Sequence, residues 1–313
     1  MELDIKNYNF KEIKTLKCGE NPHQKATLYS YDKELDYNIL QGEELSYNDI
    51  LNLTTALEIS AEFFDVSACT IVKHANPISV ALAKNVEGAF DKALDSDPIG
   101  PFNSTISFTR QVDLSLAKKL SAIPIEILIA PSFSEEATEE LKKSALKIIK
   151  LNTPLQDILK FQDEEIKLTP FGALIQEKNT ACLNVETFKV ITKKKPEQKE
   201  LEDMIFAFKI VKHAKSSAIV AAKDLRTLGI CAGQPDNPTA VEFALNKVCD
   251  SPKGAILASD NPLNSVDVIH IAVQNRASGI IQPGGSIKDK ELVKCADKLE
   301  ISMVTTGIRH LKH

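Results

Sequence analysis

The chain has no apolar run approaching the ~18 residues that a bilayer span requires, so no membrane helix is expected. Its six cysteines, Cys18, Cys69, Cys182, Cys231, Cys249 and Cys295, lie far apart and form no CxxC pair. That spacing argues against a zinc site and a disulfide framework, and no metal is expected. Neither GxGxxG nor a Walker A sequence is present, which leaves a nucleotide-dependent dehydrogenase without its fingerprint. An excess of positive charge is missing too: the net charge is −5, with Lys and Arg scattered among Asp and Glu, so no nucleic-acid partner is expected. The opening residues MELDIKNYNF carry acids early and lack the apolar centre of a secretory signal. The expectation is a cytoplasmic protein without a membrane partner.

What is present is a globular composition, 43% hydrophobic and 26% charged, over 313 residues. That length suggests about two domains. Short β-rich runs alternate with helical patterns. Helices are predicted at 52–64, 80–94, from Asp113, and from Ser134, and strands at 68–74, 104–110, 125–131 and 146–152. The second half repeats this logic, with Leu201, Met204, Ile205, Phe208 and Val211 at helical spacing behind Pro196, Glu197 and Glu200. Strands at 217–223, 227–233, 254–260, 279–284 and 301–307 then alternate with helices at 238–248, 266–276 and 288–299. Such alternation implies βαβ units around a largely parallel sheet, an α/β fold in two layered units. The polar stretch 176–199, which contains KKKPEQK, reads either as the link between them or as a charged surface turn.

The pentapeptide IVKHA occurs twice, at 71–75 and 210–214. The first copy ends a buried-looking strand and continues into Asn76 and Pro77, so Lys73 and His74 emerge at the carboxyl end of a strand, where open α/β sheets place ligands. An imidazole there moves protons near neutral pH, and an adjacent ammonium stabilises an oxyanion; a solvated strand edge is the competing reading. The second copy closes an amphipathic helix, where Lys212, His213 and Lys215 suit the carboxyl-terminal dipole, and no catalytic role is expected of His213. GENPHQ (19–24) is a constrained polar loop containing His23, by itself a surface turn. In IIQPGGSIKD (280–289), glycines between strand and helix allow close backbone approach to a ligand, with free amides for an anion; Ser286 as a plain helix cap competes. The terminal TTGIRHLKH follows directly on a β-rich run, so it is expected to be tied down, with Arg309 suited to phosphate or carboxylate.

Taken in order, KCGENPHQ, LSYNDI, IVKHANP, IEILIAPSFSEEA, KSSAIVAAKDLRTLGICAGQ, LASDN, IIQPGGSIKDKELVKCAD and TTGIRHLKH resemble the formyltransferase part of the AICAR transformylase/IMP cyclohydrolase family. The resemblance runs from about Lys17 to the last residue, and the cyclohydrolase part lies outside it. It implies α/β/α layers of a duplicated cytidine-deaminase-like fold, with one domain at 1–190 carrying KHANP and a second at 191–313 carrying the PGGS loop and RHLKH. It also implies a homodimer with active sites at the subunit interface. The implied reaction is formyl transfer from 10-formyltetrahydrofolate, a co-substrate, to the 5-amino group of AICAR in purine biosynthesis, with a separate IMP cyclohydrolase as a further partner. Carried over residue by residue, Lys73 and His74 become the catalytic pair. Lys17, Asp49, Asn76, Phe102, Asn103, Glu126, Ser217 and Arg309 fall on the nucleotide side, and Pro283, Gly284, Gly285 and Ser286 on the folate side.

Departures from the family pattern are local. Lys17 and Cys18 replace Arg-Tyr, Ile78 and Ser79 replace Cys-Gly, and Phe102, Asn103 and Ser104 replace Phe-Gly-Gly. SDNPLNS (259–265) replaces SDAFFPF, and Asp49 and Ser217 stand at asparagine positions. These changes define the alternative function, a catalytically degenerate paralogue serving as a dimeric nucleotide-binding or regulatory module.

Overall fold

A computed structural model describes residues 4–5, 8–30, 34–161, 163–181, 183–247 and 253–313. Cys182, Cys249, Val248 at the end of a predicted helix, and part of the opening decapeptide lie outside the described residues. Two small hairpins come first, β1 (Asp4–Ile5) with β2 (Tyr8–Asn9) and β3 (Lys11–Leu16) with β4 (Ala26–Ser30). The first half then runs β5 (Tyr37–Gln41), α1 (Tyr47–Ala61), β6 (Ser67–Lys73), β7 (Asn76–Ala83), α2 (Val86–Ser96), β8 (Thr105–Phe108), α3 (Leu114–Ser121), β9 (Ile127–Ala130), α4 (Glu135–Leu141) and β10 (Lys147–Leu151). A connecting region holds α5 (Leu155–Ile158), the hairpin β11 (Glu164–Thr169) and β12 (Gly172–Glu177), and the edge strand β13 (Lys189–Val190). The second half is α6 (Gln198–Val211), β14 (Ile219–Lys223), β15 (Arg226–Cys231), α7 (Asn237–Asn246), β16 (Ile256–Ser259), α8 (Asp267–Gln274), β17 (Gly279–Gln282), α9 (Asp289–Lys298) and β18 (Ser302–Thr305).

One 12-stranded sheet joins both halves in the order β13-β18-β17-β16-β14-β15-β7-β6-β8-β9-β10-β5. Outward from the centre, the first half reads β7-β6-β8-β9-β10 and the second β15-β14-β16-β17-β18, the same order with respect to each half's chain. The sheet is mixed rather than largely parallel: among the described residues, only β8·β9, β9·β10, β16·β17 and β17·β18 are parallel strand pairs. The predicted helix at 80–94 is the main reason for that difference. Residues 76–83 instead return as β7 against β6, because the two-residue loop His74–Ala75 adopts left-handed backbone at both positions (φ 53° and 54°), a loop whose twist matches paired strands. Helix α2 starts only at Val86, where the Asn85 side chain accepts from the Gly88 amide. The predicted caps Asp113 and Ser134 do start α3 and α4.

Helices cover both faces. Ala56 and Ile59 of α1, Phe63 just beyond it, and Met204, Phe208 and Val211 of α6 pack with Val72, Val80, Val220, Ile256 and Ile281 in a core that spans both halves. On the opposite face α2, α3 and α4 cover β6–β10, and α7, α8 and α9 cover the second-half strands. Because β6 runs opposite to β8, and β16–β18 run with β6, one edge of the sheet collects the end of β6, the starts of β8–β10 and the ends of β16–β18. No described helix is long and apolar enough to cross a membrane.

Candidate active site

Most residues singled out in the sequence lie along that edge. Lys73 is the last residue of β6, and its Nζ donates to the Phe102 carbonyl at 2.8 Å. His74 follows in the turn with its side chain exposed. Non-glycine residues in left-handed backbone cost about 1–2 kcal/mol each, so the turn needs external holds. Asn52 of α1 accepts from the Ala75 amide at 2.8 Å, and the Thr55 hydroxyl donates to the Ala75 carbonyl at 3.3 Å. Asn76 closes the turn: its side chain donates to the His74 carbonyl and accepts from the Lys215 amide, both at 3.2 Å, which joins the two halves.

Across from the turn, Asn103 takes left-handed backbone (φ 52°) where a glycine was expected, and its amide donates to Pro124 at 2.7 Å. Asparagine tolerates that region, so the turn survives the substitution. The Glu126 carboxyl stands at the start of β9. Desolvation and the neighbouring Asp49 push its proton affinity up from the usual carboxylate range, against the opposing pull of Lys147 and Lys73. Asp49 is buried at the start of α1, where it forms a reciprocal cap with Ser46. Its Oδ2 also accepts from Lys147 Nζ at 2.5 Å. Gly42 (φ +100°) makes room for that lysine, since a Cβ there would meet Lys147 Cγ at 2.7 Å. Sequence reasoning missed Lys147, 98 residues from its partner in an ordinary amphipathic strand.

The other predicted residues are more dispersed. Lys17 is exposed beside the GENPHQ loop, which is closed by its own Gly19–Gln24 and Asn21–Gln24 hydrogen bonds and tied to α1 by Asn48. Ser217 pairs through its backbone with Gln234. The carboxyl-terminal segment is tied down as expected, with His310 bonded to Asp260 and Lys312 to Ser216 through the backbone or a hydroxyl, while the Arg309 side chain is exposed. In SDNPLNS the buried Leu263 donates its amide to Gln282, so the segment is anchored through the core. Pro283, Gly284 and Gly285 line a separate cavity of about 880 Å³ with Phe188, Ile191, Val293 and Thr305. The free amides expected there are in part occupied: Gly285 donates to the Asp289 carboxylate at 2.8 Å, and a carboxylate disfavours an anion at the same place. Ser286 accepts from the Lys288 amide ahead of α9, a local turn and not the helix cap itself.

The second IVKHA ends a helix, as expected. Lys212 and His213 are buried. Lys212 pairs with Glu62 at 2.8 Å, and His213 faces Glu62 at 3.2 Å and Glu58 at 3.7 Å, the first acid capping the end of α1 and the second lying within it. Lys178 and Lys312 complete the group around Glu58. Burial alone would raise both carboxyls, but His213 and these lysines override it and hold them far below the ordinary range, Glu62 at about 2. A cavity of about 310 Å³ opens beside them. Near it, burial and the fields of Lys212 and His213, opposed by Glu62, take the His310 imidazole down to about 4. Among the described residues no three His, Cys, Asp or Glu side chains are grouped to hold a metal.

Comparison with known proteins fits this arrangement of motifs. A sequence profile described as AICARFT/IMPCHase bienzyme matches residues 2–247. The bifunctional purine biosynthesis protein PurH of Caldicellulosiruptor bescii is 44% identical over 309 residues, covering 96% of this chain and 59% of that protein. The PurH proteins of Acetivibrio thermocellus and of a Thermoanaerobacter species are each 41% identical, covering 97% and 99% of this chain and 60% and 61% of their own lengths. The chain thus spans about three fifths of the curated relatives it matches. On the match of profile and relatives together, the chain belongs to the AICARFT/IMPCHase bienzyme family.

Proposed function

We propose that the chain is an AICAR formyltransferase acting with 10-formyltetrahydrofolate, and that Lys73 and His74 carry the chemistry. The observation that supports this most directly is the Lys73–His74 turn itself: the ammonium is held at the Phe102 carbonyl within the field of Glu126, and the imidazole is exposed next to it in the turn. As the 5-amino nitrogen attacks the formyl carbon, His74 takes the amine proton and Lys73 stabilises the oxyanion of the tetrahedral intermediate. Collapse breaks the bond to folate N10, which leaves with the proton returned from His74. Lys17, Asp49, Asn76, Phe102, Asn103, Glu126, Ser217 and Arg309 form the nucleotide side, and Pro283 to Ser286 the folate side.

Within one chain, Pro283–Gly285 line a cavity to which Lys73 and His74 do not contribute. A homodimer with sites shared at its interface accounts for that separation, and domains of 1–190 and 191–313 on the cytidine-deaminase plan account for the repeated strand order. The product then serves IMP cyclohydrolase in the cytoplasm. Purified protein given AICAR and 10-formyltetrahydrofolate is expected to form product, and His74→Ala to lower kcat by about 100-fold or more. Ligand binding without turnover in the unmutated protein would sink this reading and favour a binding module.

A further inference from the structure

Each half of the molecule contains the same two-residue hairpin turn, and each turn is held from the same place on the helix that precedes it. His74–Ala75 have φ of 53° and 54°, and Asp224–Leu225, between β14 and β15, have 53° and 56°. Burial runs identically through the two: residues 71–76 and 221–226 both pass from two buried residues through a half-buried lysine to an exposed residue and then to two half-buried ones. The true structural counterpart of the first IVKHA is therefore AAKDL at 221–225, with Lys223 at the position of Lys73 and Asp224 at that of His74.

The sixth residue of α6 is Asp203, and its carboxylate takes both turn amides, Asp224 at 2.9 Å and Leu225 at 2.7 Å. The sixth residue of α1 is Asn52, which takes the Ala75 amide at 2.8 Å. Three residues further on, α6 presents the core residue Phe206, but α1 presents Thr55, whose hydroxyl holds the Ala75 carbonyl. From its helix the first-half turn is thus held at the amide and the carbonyl of Ala75, by neutral side chains one helical turn apart, in addition to the Asn76 contact with the His74 carbonyl. From its helix the second-half turn is held through its two amides by a carboxylate, while its carbonyls take donors from elsewhere, Lys92 on Asp224 and the Leu82 amide on Leu225, both at 2.9 Å. Both turns need a hold to keep non-glycine residues left-handed. Only the first turn carries an imidazole onto the edge of the sheet occupied by Glu126 and Asp49.

We infer that Asn52 and Thr55 are positioning residues for formyl transfer, fixing the direction of His74 through the Ala75 peptide. The inference rests on the reading of Lys73 and His74 as the catalytic pair. Neither residue is assigned contact with substrate, so their loss acts through His74. Misplacing a reacting group by about 1 Å is enough to lower a rate about 100-fold.

The test uses the whole chain in the AICAR formyl-transfer assay. Asn52→Leu is expected to lower kcat by about 10- to 100-fold while the KM of each substrate stays within about threefold. Asn52→Asp, which keeps an acceptor for Ala75, is expected to restore kcat to within about threefold of the parent. Asp203→Asn leaves its turn one acceptor, as Asn52 does, and is expected to keep the parental rate. Thr55→Val, nearly isosteric, is the second probe should Asn52→Leu fail to fold; it is expected to lower kcat with unchanged KM. Folded Asn52→Leu or Thr55→Val protein at parental kcat overturns the inference, as does Asn52→Asp no better than Asn52→Leu. His74→Ala at the parental rate overturns the catalytic reading and this inference with it, whereas an inactive His74→Ala beside a fully active Asn52→Leu removes the inference alone.

Discussion

Asp49 is held by two different demands. Its carboxylate accepts from the Ser46 amide at 2.8 Å to begin α1 and from Lys147 at 2.5 Å to bind the helix to β10, with its side chain only 2% exposed. A buried carboxylate with both partners in place is stable; removing one partner leaves an uncompensated charge at about 3 kcal/mol. Lys147→Met is therefore expected to destabilise the protein by about 3 kcal/mol, read as a lower urea midpoint. The same change acts on Glu126, whose carboxyl is raised by desolvation and by Asp49 and restrained by Lys147. Without the lysine the carboxyl moves further up, so it becomes ionised only at higher pH. Where transfer needs ionised Glu126, the acid limb of kcat/KM moves to higher pH in Lys147→Met; an unmoved limb shows that transfer does not depend on that ionisation. The place of Lys73 and His74 at a strand end was legible because the strand and the Asn76–Pro77 turn signal are local, whereas Glu126 was singled out only through the family resemblance. Lys147 was not legible, because its importance lies in a partner that only the folded sheet brings near.

At the scale of elements, caps and hydrophobic periods were readable wherever they were local. Asp113 and Ser134 start helices, and the strands at 125–131 and 146–152 appear in trimmed form. The run 76–83 misled because Ile78, Val80 and Leu82 lead into a helical pattern, while the signal for a return strand lay in two left-handed residues that are not glycine. Shared letters are not shared structure: the second IVKHA ends a helix, as expected, and it is AAKDL that shares the structure of the first. In the loop after β17 the glycines are required by conformation. Gly284 has φ +77° and a Cβ there would lie 2.9 Å from Thr305 Cγ2, whereas Gly285 has φ +90° and open space around it. Gly284→Ala is expected to cost about 2–4 kcal/mol, from strain and overpacking together, and Gly285→Ala only about 1–2 kcal/mol. Thermal melts of the two variants check the order. In addition, Gly284→Ala should weaken folate binding more than AICAR binding in calorimetric titrations; equal weakening of both would place the loop's influence elsewhere.

The molecule as a whole is joined by one sheet and, on one face, by a core drawn from both halves, with the buried ions of α1 and α6 set at its border. This makes its acid response collective. His310 is 1% exposed, accepts at Nδ1 from the Asn179 side-chain amide at 2.9 Å, and has its proton affinity lowered from 6.5 to about 4 by burial first and then by Lys212 and His213. The folded protein keeps the ring neutral while the unfolded chain protonates it below about 6.5. The unfolded state therefore binds more protons across that interval, and stability falls as pH drops from about 6.5 to about 4, by about 3 kcal/mol from this group. Glu62, with a carboxyl at about 2, extends the loss below the ordinary carboxylate range, whereas the raised carboxyls of Asp203 and Asp260 act in the opposite direction. Comparing the parent with His310→Asn isolates the imidazole, because the other groups remain in both. Urea midpoints at pH 7, 5.5 and 4, chosen to bracket the interval between the two proton affinities, should converge as pH falls, the variant losing less than the parent. Parallel curves would mean that His310 takes up its proton over the same pH interval folded as unfolded, and that the cations around it are compensated more fully than Glu58 and Glu62 allow.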